Sequence, residues 1–553
     1  MLTRQLQPAC RINQATANMM DASSTTIPKP HRGKAAAAMV AAGILLSRLS
    51  GLIRERFFAH YLGTSMAADA FRVAFRVPNM LQNLLGEGVL SASFIPVYAR
   101  LRAEGREREA SELAEAIFAL LALVASVIVA FGVVCTPLLV SLLASGLHGE
   151  ERTLTIALVR IVFPGTGLLV FAAWCLGVLN SHGRFFLSYA SGVMMNIAII
   201  AALIWQGGFR AQGTVSLAYV ISWASVAGAV LQFAVQAPTV YRYLRPLIGH
   251  IDLRSTHVAA VVAAFIPVFI SRGVFQISGF IDLQLASYLP KGNVLLTYAQ
   301  TLYMLPVSLF GMSVSASELP AMSRAIGSES EIAATLRTRL SLGLEKISFF
   351  VVPSAIAFLA LGNVVVSSIF RTGRFGEQDV FFVWAALAGS GVGLLAQTMG
   401  RLYSSTFYAL RDTRTPLRYA LVRVALTLCL GYVFALPLPR ALGIDSNWGV
   451  AGLTASAGIA GWVEFVLLRR GLQARIGHVK FSASRVLKLW AAALTAAGLS
   501  LVVEWRLHLA SPILRGLAVL IPFGVVYLLI TQLLGLNATF SSFFARFRPS
   551  SRS

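Results

Sequence analysis

Long apolar runs recur along nearly the whole chain, each about 20 residues or more, enough to cross a hydrocarbon core about 30 Å thick as a helix. Backbone groups in lipid must be bonded internally, so runs of this kind are helical. About fourteen spans are predicted, starting near Lys34, Asp69, Ser111, Arg152, Phe185, Thr214, His257, Val294, Ala333, Val380, Pro416, Trp448, Ser484 and Pro512. A chain with 57% hydrophobic and 12% charged residues and a mean hydropathy of +0.73 is not a soluble domain. The expected fold class is all-α, a polytopic membrane protein.

The formal net charge of +23 raises the question of nucleic acid, but Lys and Arg are spread over alternate loops instead of forming one basic face. With a cytoplasmic N-terminus, the inside segments carry roughly 28 Lys and Arg and the outside segments about 7. "RLRAEGRERE" from Arg100 and "RRGLQARIGHVK" from Arg469 fall inside, whereas "LGTSMAAD" from Leu62 falls outside. The basic excess is thus a topology signal, nucleic acid is excluded as a partner, and both termini are expected in the cytoplasm. Residues 1–33 carry Arg4, Arg11, Lys29 and Arg32 without an apolar core or cleavage site; they read as a disordered basic tail, not a signal peptide. Residues 541–553 are expected to form a second cytoplasmic tail. Cys10, Cys135, Cys175 and Cys429 show no paired spacing, which argues against a disulfide framework or a zinc site.

The chain also repeats itself. "SASFIPVYAR" at Ser91 returns as "SASELPAMSR" at Ser315, and at the same offset Ser47 and Arg48 match Ser271 and Arg272. After a small gap, "AHYL" from Ala59 resembles "ASYL" from Ala286. The copies lie an even number of spans apart, so they share an orientation and predict two lobes related by a pseudo-twofold axis along the membrane normal, with a cavity between them. The expected division is 34–250 for spans one to six, 251–475 for spans seven to twelve, and 476–540 for two C-terminal helices.

Charges enter this apolar framework at particular places. In span two, Asp69, Arg72, Arg76, Asn79, Asn83 and Glu87 fall within a stripe about 80° wide. Pro78 interrupts this seam, and Gly86 and Gly88 follow, so a bend is expected. In span one, Arg48 and Glu55 share a face, while Arg54 points about 120° from Arg48. Ionisable groups within a membrane are costly unless they pair or line a water-filled path. Arg48, Arg54, Arg72, Arg76, Arg160, Arg272, Arg401 and Arg423 outnumber Asp69, Glu87, Asp282 and Glu464. Guanidinium forks in excess suit carboxylate or phosphate oxygens, which points to an acidic or phosphorylated substrate. Mutual salt bridges holding helices in register are the competing reading for any one of them.

"SRLSGLIRE", "ADAFRVAFRVPNMLQNLLGEGVLSASFIPVYA" and "FYALRDTRTP" resemble the MurJ/MviN family of lipid II flippases, within the superfamily of multidrug and polysaccharide-lipid exporters. The resemblance covers roughly residues 34–540. It implies fourteen helices, with the last two flanking a groove for a lipid tail, and lipid II as the partner, moved from the cytoplasmic to the periplasmic leaflet of the bacterial inner membrane. It further implies cavity roles for Arg48, Arg54, Asp69 and Glu87. Where many relatives carry arginines, this chain has Gln82 and Thr301; Arg272, with Arg72 and Arg76 on the neighbouring seam, is expected to supply the missing anion-binding charge. Some relatives hold a cation through an acid in span seven; Asp282 matches that acid, but Thr427 and Gly431 stand where the other ligands are expected.

No acid pair, metal-ligand spacing or nucleophile with its base is visible, so an enzyme is not expected and no cofactor is implied. No nucleotide-binding motif is seen either, leaving membrane potential, an ion gradient or downstream consumption as driving forces. An antiporter of cationic drugs would line its cavity with acids. An exporter of another lipid-linked oligosaccharide, or a non-transporting scaffold of the cell-wall machinery, stays open on the residues alone.

Overall fold

The protein is described by a computed structural model over residues 31–210, 213–244, 255–324, 327–479, 481–507 and 509–536. The expected tails lie outside these residues, except that 31–33 already belong to the first helix; Cys10 also lies outside them. Each predicted span is a helix whose start lies within four residues of the expected one. Where the observed start is earlier, as at Met66 and Glu329, a polar cap precedes the apolar pattern. Ser65 accepts from the Ala68 amide at 3.2 Å, and Ser328 forms a capping box with Glu331.

In chain order the main helices are α1 (His31–Leu62), α2 (Met66–Leu85), α3 (Glu87–Ala103), α4 (Glu107–Val134), α5 (Gly149–Ser181), α6 (Gly192–Leu203), α7 (Thr214–Leu244) and α8 (Thr256–Ala286). They continue as α9 (Gly292–Pro306), α10 (Ser313–Ser323), α11 (Glu329–Ala360), α12 (Glu377–Ala409), α13 (Arg414–Ala435), α14 (Trp448–Ile476), α15 (Ala483–Arg506) and α16 (Pro512–Leu533). Eleven helices among the described residues are long and apolar enough to span a bilayer. The three other predicted spans, α1, α2 with α3, and α8, are those that carry Arg48, Arg54, Asp69, Arg72, Arg76, Arg272 and Asp282.

The bend expected in span two falls at Gly86. Pro78 stays inside a continuous α2. At Gly86 a Cβ would lie 2.4 Å from the Gln82 carbonyl oxygen, so only glycine allows the chain to close on itself there and start α3. The second repeat is interrupted at the matching position. A π-helical segment, Val307–Met312, separates α9 from α10 directly after Pro306.

The buried apolar residues form two clusters. One runs from the 58–77 end of the first lobe, through α9, into the whole of the second lobe and onto α15 and α16. The other is confined to α2–α5, the end of α7 and the start of α8. The lobes therefore share a core at one end and have separate cores at the other. α8 joins both clusters: Val258 and Val261 belong to the first-lobe one, whereas Leu283 and Leu285 belong to the shared one. α15 packs on α11, and α16 packs on the short helix Gly362–Phe370, with the Tyr527 hydroxyl donating to the Phe349 carbonyl at 2.6 Å.

Candidate functional site

At the shared end, the loops that close spans one and seven are bound to the opposite lobe. Thr64 donates to Asp379 at 2.5 Å, the Arg374 amide donates to the His60 carbonyl at 2.9 Å, and the Gly146 amide donates to the Ser287 hydroxyl at 3.0 Å. Gly63 has φ +56°, and a Cβ there would lie 2.8 Å from the Arg374 carbonyl oxygen, so this close approach depends on glycine.

Asp69 sits at the centre of this seal. It is 1% exposed, accepts from the Val294 amide at 2.7 Å and from Asn293 Nδ2 at 3.3 Å, and has the Glu151 carboxyl as a hydrogen-bonding neighbour. Asp69 and Asn293 are 224 positions apart, the offset that relates Ser91 to Ser315. Residues equivalent by the repeat thus touch, which places them on the pseudo-twofold axis. Asp69→Ala leaves the buried Val294 amide without its acceptor, a loss of about 1–3 kcal/mol from the sealed state. A cysteine at Thr297 is expected to gain reactivity toward a membrane-impermeant thiol reagent added on this side; unchanged labelling would mean that the other lobe contacts suffice.

Beyond the seal, a cavity of about 630 Å³ opens between the lobes. Arg48, Arg54, Glu55, Gln82 and Thr301 all line it, so both positions where relatives carry arginines are cavity positions. Arg48 is exposed and has no hydrogen bond or ion pair among the described residues. Arg54 reaches the same space despite its different helical phase, because its long side chain turns back to Asn196 Oδ1 at 3.0 Å and Glu55 at 2.7 Å.

Arg72 departs from the expectation. Its guanidinium pairs with Glu55 at 2.5 Å and stacks over the Phe58 ring, 3.7 Å from the centroid. At 9% exposed it is a buried structural charge beside Tyr298 of the second lobe, not an anion site in the cavity. Arg76 does not line the cavity either and has Asp282 as its electrostatic neighbour. Asp282 faces a second, smaller cavity of about 130 Å³ together with Gln300, Thr427 and Arg423. A cation there would share the space with the Arg423 guanidinium, itself 3.3 Å from Glu464, so the donor set fits a metal ion poorly. Glu87 opens α3 and Arg272 lies in α8, but their side chains lie outside the described residues.

Sequence reasoning passed over Asn196, Gln232 and Gln300, which line the cavity with Asn79. A single polar residue in an apolar run, as in "MMNIAII" around Asn196, was the available signal.

Comparison with known proteins agrees with this architecture. The solved structure titled "Lipid II flippase MurJ, inward closed conformation" aligns with a TM-score of 0.73 over 92% of this chain and 99% of that one, at 21% identity. A multidrug resistance MATE family transporter of the MOP superfamily aligns at 0.62 over 79% of this chain and 98% of its own, at 18% identity. Among curated sequences, Lipid II flippase MurJ of Burkholderia cenocepacia is 32% identical over 489 residues, covering 85% of this chain and 91% of its own length. The probable lipid II flippase MurJ of Rhizobium meliloti is also 32% identical, over 480 residues, covering 85% and 86%. The profile of the family described as Lipid II flippase MurJ matches residues 58–534, and the chain belongs to that family.

Proposed function

We propose that this multi-pass protein of the bacterial inner membrane is a transporter and not an enzyme, and that it carries lipid II from the cytoplasmic to the periplasmic leaflet by alternating access. The observation that carries the reading is the cavity itself: closed at one end by a core common to both lobes, and lined by Arg48, which has no partner among the described residues, beside Arg54. Arg48 and Arg54 engage the pyrophosphate, the sugar and peptide occupy the aqueous space, and the prenyl tail stays in lipid along the groove flanked by α15 and α16. Rupture of the seal around Asp69 and closure of the opposite end then turn the headgroup outward. Consumption of the delivered precursor by cell-wall polymerases would pull the cycle forward, as would membrane potential or an ion gradient.

The test is flipping of labelled lipid II in proteoliposomes, compared with other undecaprenyl-pyrophosphate glycans. Preferential movement of lipid II is the expected result, and equal movement of all of them would replace this reading with a general exporter of lipid-linked oligosaccharides. Direction rests on loop charge. A reporter active only in the periplasm should be silent when fused after Ser553, and strong activity there would invert the cycle.

A further inference from the structure

The cavity holds more neutral hydrogen-bonding groups than a pyrophosphate site requires. Asn79 and Gln82 from α2, Gln232 from α7 and Gln300 from α9 bring four carboxamides into it. All four are half-buried, and none makes a side-chain hydrogen bond to another described residue. Their neighbours behave differently. Asn196 is occupied by Arg54 at 3.0 Å and Ser50 at 2.8 Å, and the Thr297 and Thr301 hydroxyls donate back to their own helix at 2.7 and 2.9 Å.

A carboxamide offers two donors and an acceptor. Against a phosphate its acceptor is idle, and against a carboxylate likewise. Groups carrying both a donor and an acceptor use both ends: a hydroxyl offers them on one oxygen, whereas a secondary amide offers them on two separate atoms, an N–H and a C=O, that can reach carboxamides on different helices. Open to water, these side chains cost nothing. Covered by a ligand that leaves them unpaired, each costs more than a made bond returns, which is how a site rejects the analogue that lacks the matching group.

We propose that Asn79, Gln82, Gln232 and Gln300 form a neutral recognition tier for secondary amide groups of the substrate headgroup, while Arg48 and Arg54 supply attachment to its anion. This rests on the reading of the cavity as the headgroup site. The amides come from the acetamido substituents of the sugars or from the peptide backbone, and the two sources are separable by experiment.

The full chain in nanodiscs would be titrated with undecaprenyl pyrophosphate alone, with that lipid bearing an N-acetylated disaccharide, with the same disaccharide carrying hydroxyls in place of the acetamido groups, and with the peptide-bearing form. The parent should bind the acetamido or the peptide-bearing lipid about tenfold or more tighter than the hydroxyl analogue. The arm in which this preference first appears names the source. Gln232→Leu and Gln300→Leu should each reduce the preference by about three- to tenfold, measured against the same variant's binding of the bare pyrophosphate lipid. A parent that discriminates on neither arm, or leucine variants that discriminate as the parent does, overturns the amide tier alone. If instead the bare lipid does not bind, or binds equally to Arg48→Ala, the headgroup site itself is misplaced and the tier falls with it.

Discussion

Glu55→Ala is expected to strip the membrane of most folded protein. Glu55 is 2% exposed and is shared by Arg54 and Arg72. Removing it leaves Arg72 buried between the lobes with the Phe58 ring and no carboxylate, and its Nε already has no partner. Breaking a buried pair from one side costs about 3–5 kcal/mol, a large fraction of the stability of most folded domains. Heating in detergent with detection of the soluble fraction should show a clear loss of thermal stability. Glu55→Leu combined with Arg72→Met should recover most of it, because two apolar side chains of similar size replace a desolvated pair at little net cost. A stable Glu55→Ala would mean that Arg72 finds water or another acceptor.

Arg48→Ala should do the opposite, abolishing most transport without touching stability. Its guanidinium has no protein partner to lose among the described residues, so its removal strands nothing. A charge-assisted contact to a phosphate is worth about 1.5–3 kcal/mol, and flipping of lipid II should fall about ten- to a hundredfold at normal protein levels. Arg48→Lys should restore part of the rate, since the charge returns without the flat fork. Parental flipping by Arg48→Ala would place the pyrophosphate elsewhere, with Arg272 the next residue to vary.

The helices were legible because their signal is local: apolar length, polar caps and bare outer loops. The break in span two was legible only as an approximate place. Pro78 and Gly86 both suggested a bend, and a near contact with the Gln82 carbonyl decides between them. The polar stripe of span two was read as one seam, and the fold divides it. Helical phase tells which side chains share a face; it says nothing of what lies opposite. In the fold, Asn293, Val294 and Tyr298 cover the Asp69 and Arg72 end of the stripe, and of its described members Asn79 lines the cavity, joined by Gln82, which the stripe did not include. Glu55 was visible as a neighbour of Arg48, but its pairing with Arg72, 17 residues away, depends on how α1 and α2 meet.

The contact between Asp69 and Asn293 bears on the history of the chain. Two copies of one ancestral half, facing each other across a twofold axis, bring identical side chains together wherever the axis passes through the backbone. Aspartate at both positions would add a carboxylate beside Asp69 and Glu151, and among the described residues no basic side chain hydrogen-bonds to Asp69 to compensate. An amide against a carboxylate satisfies both. The duplicated halves could therefore keep a buried acid on the axis only by becoming different there, and a gene encoding one half twice over would not rebuild this protein.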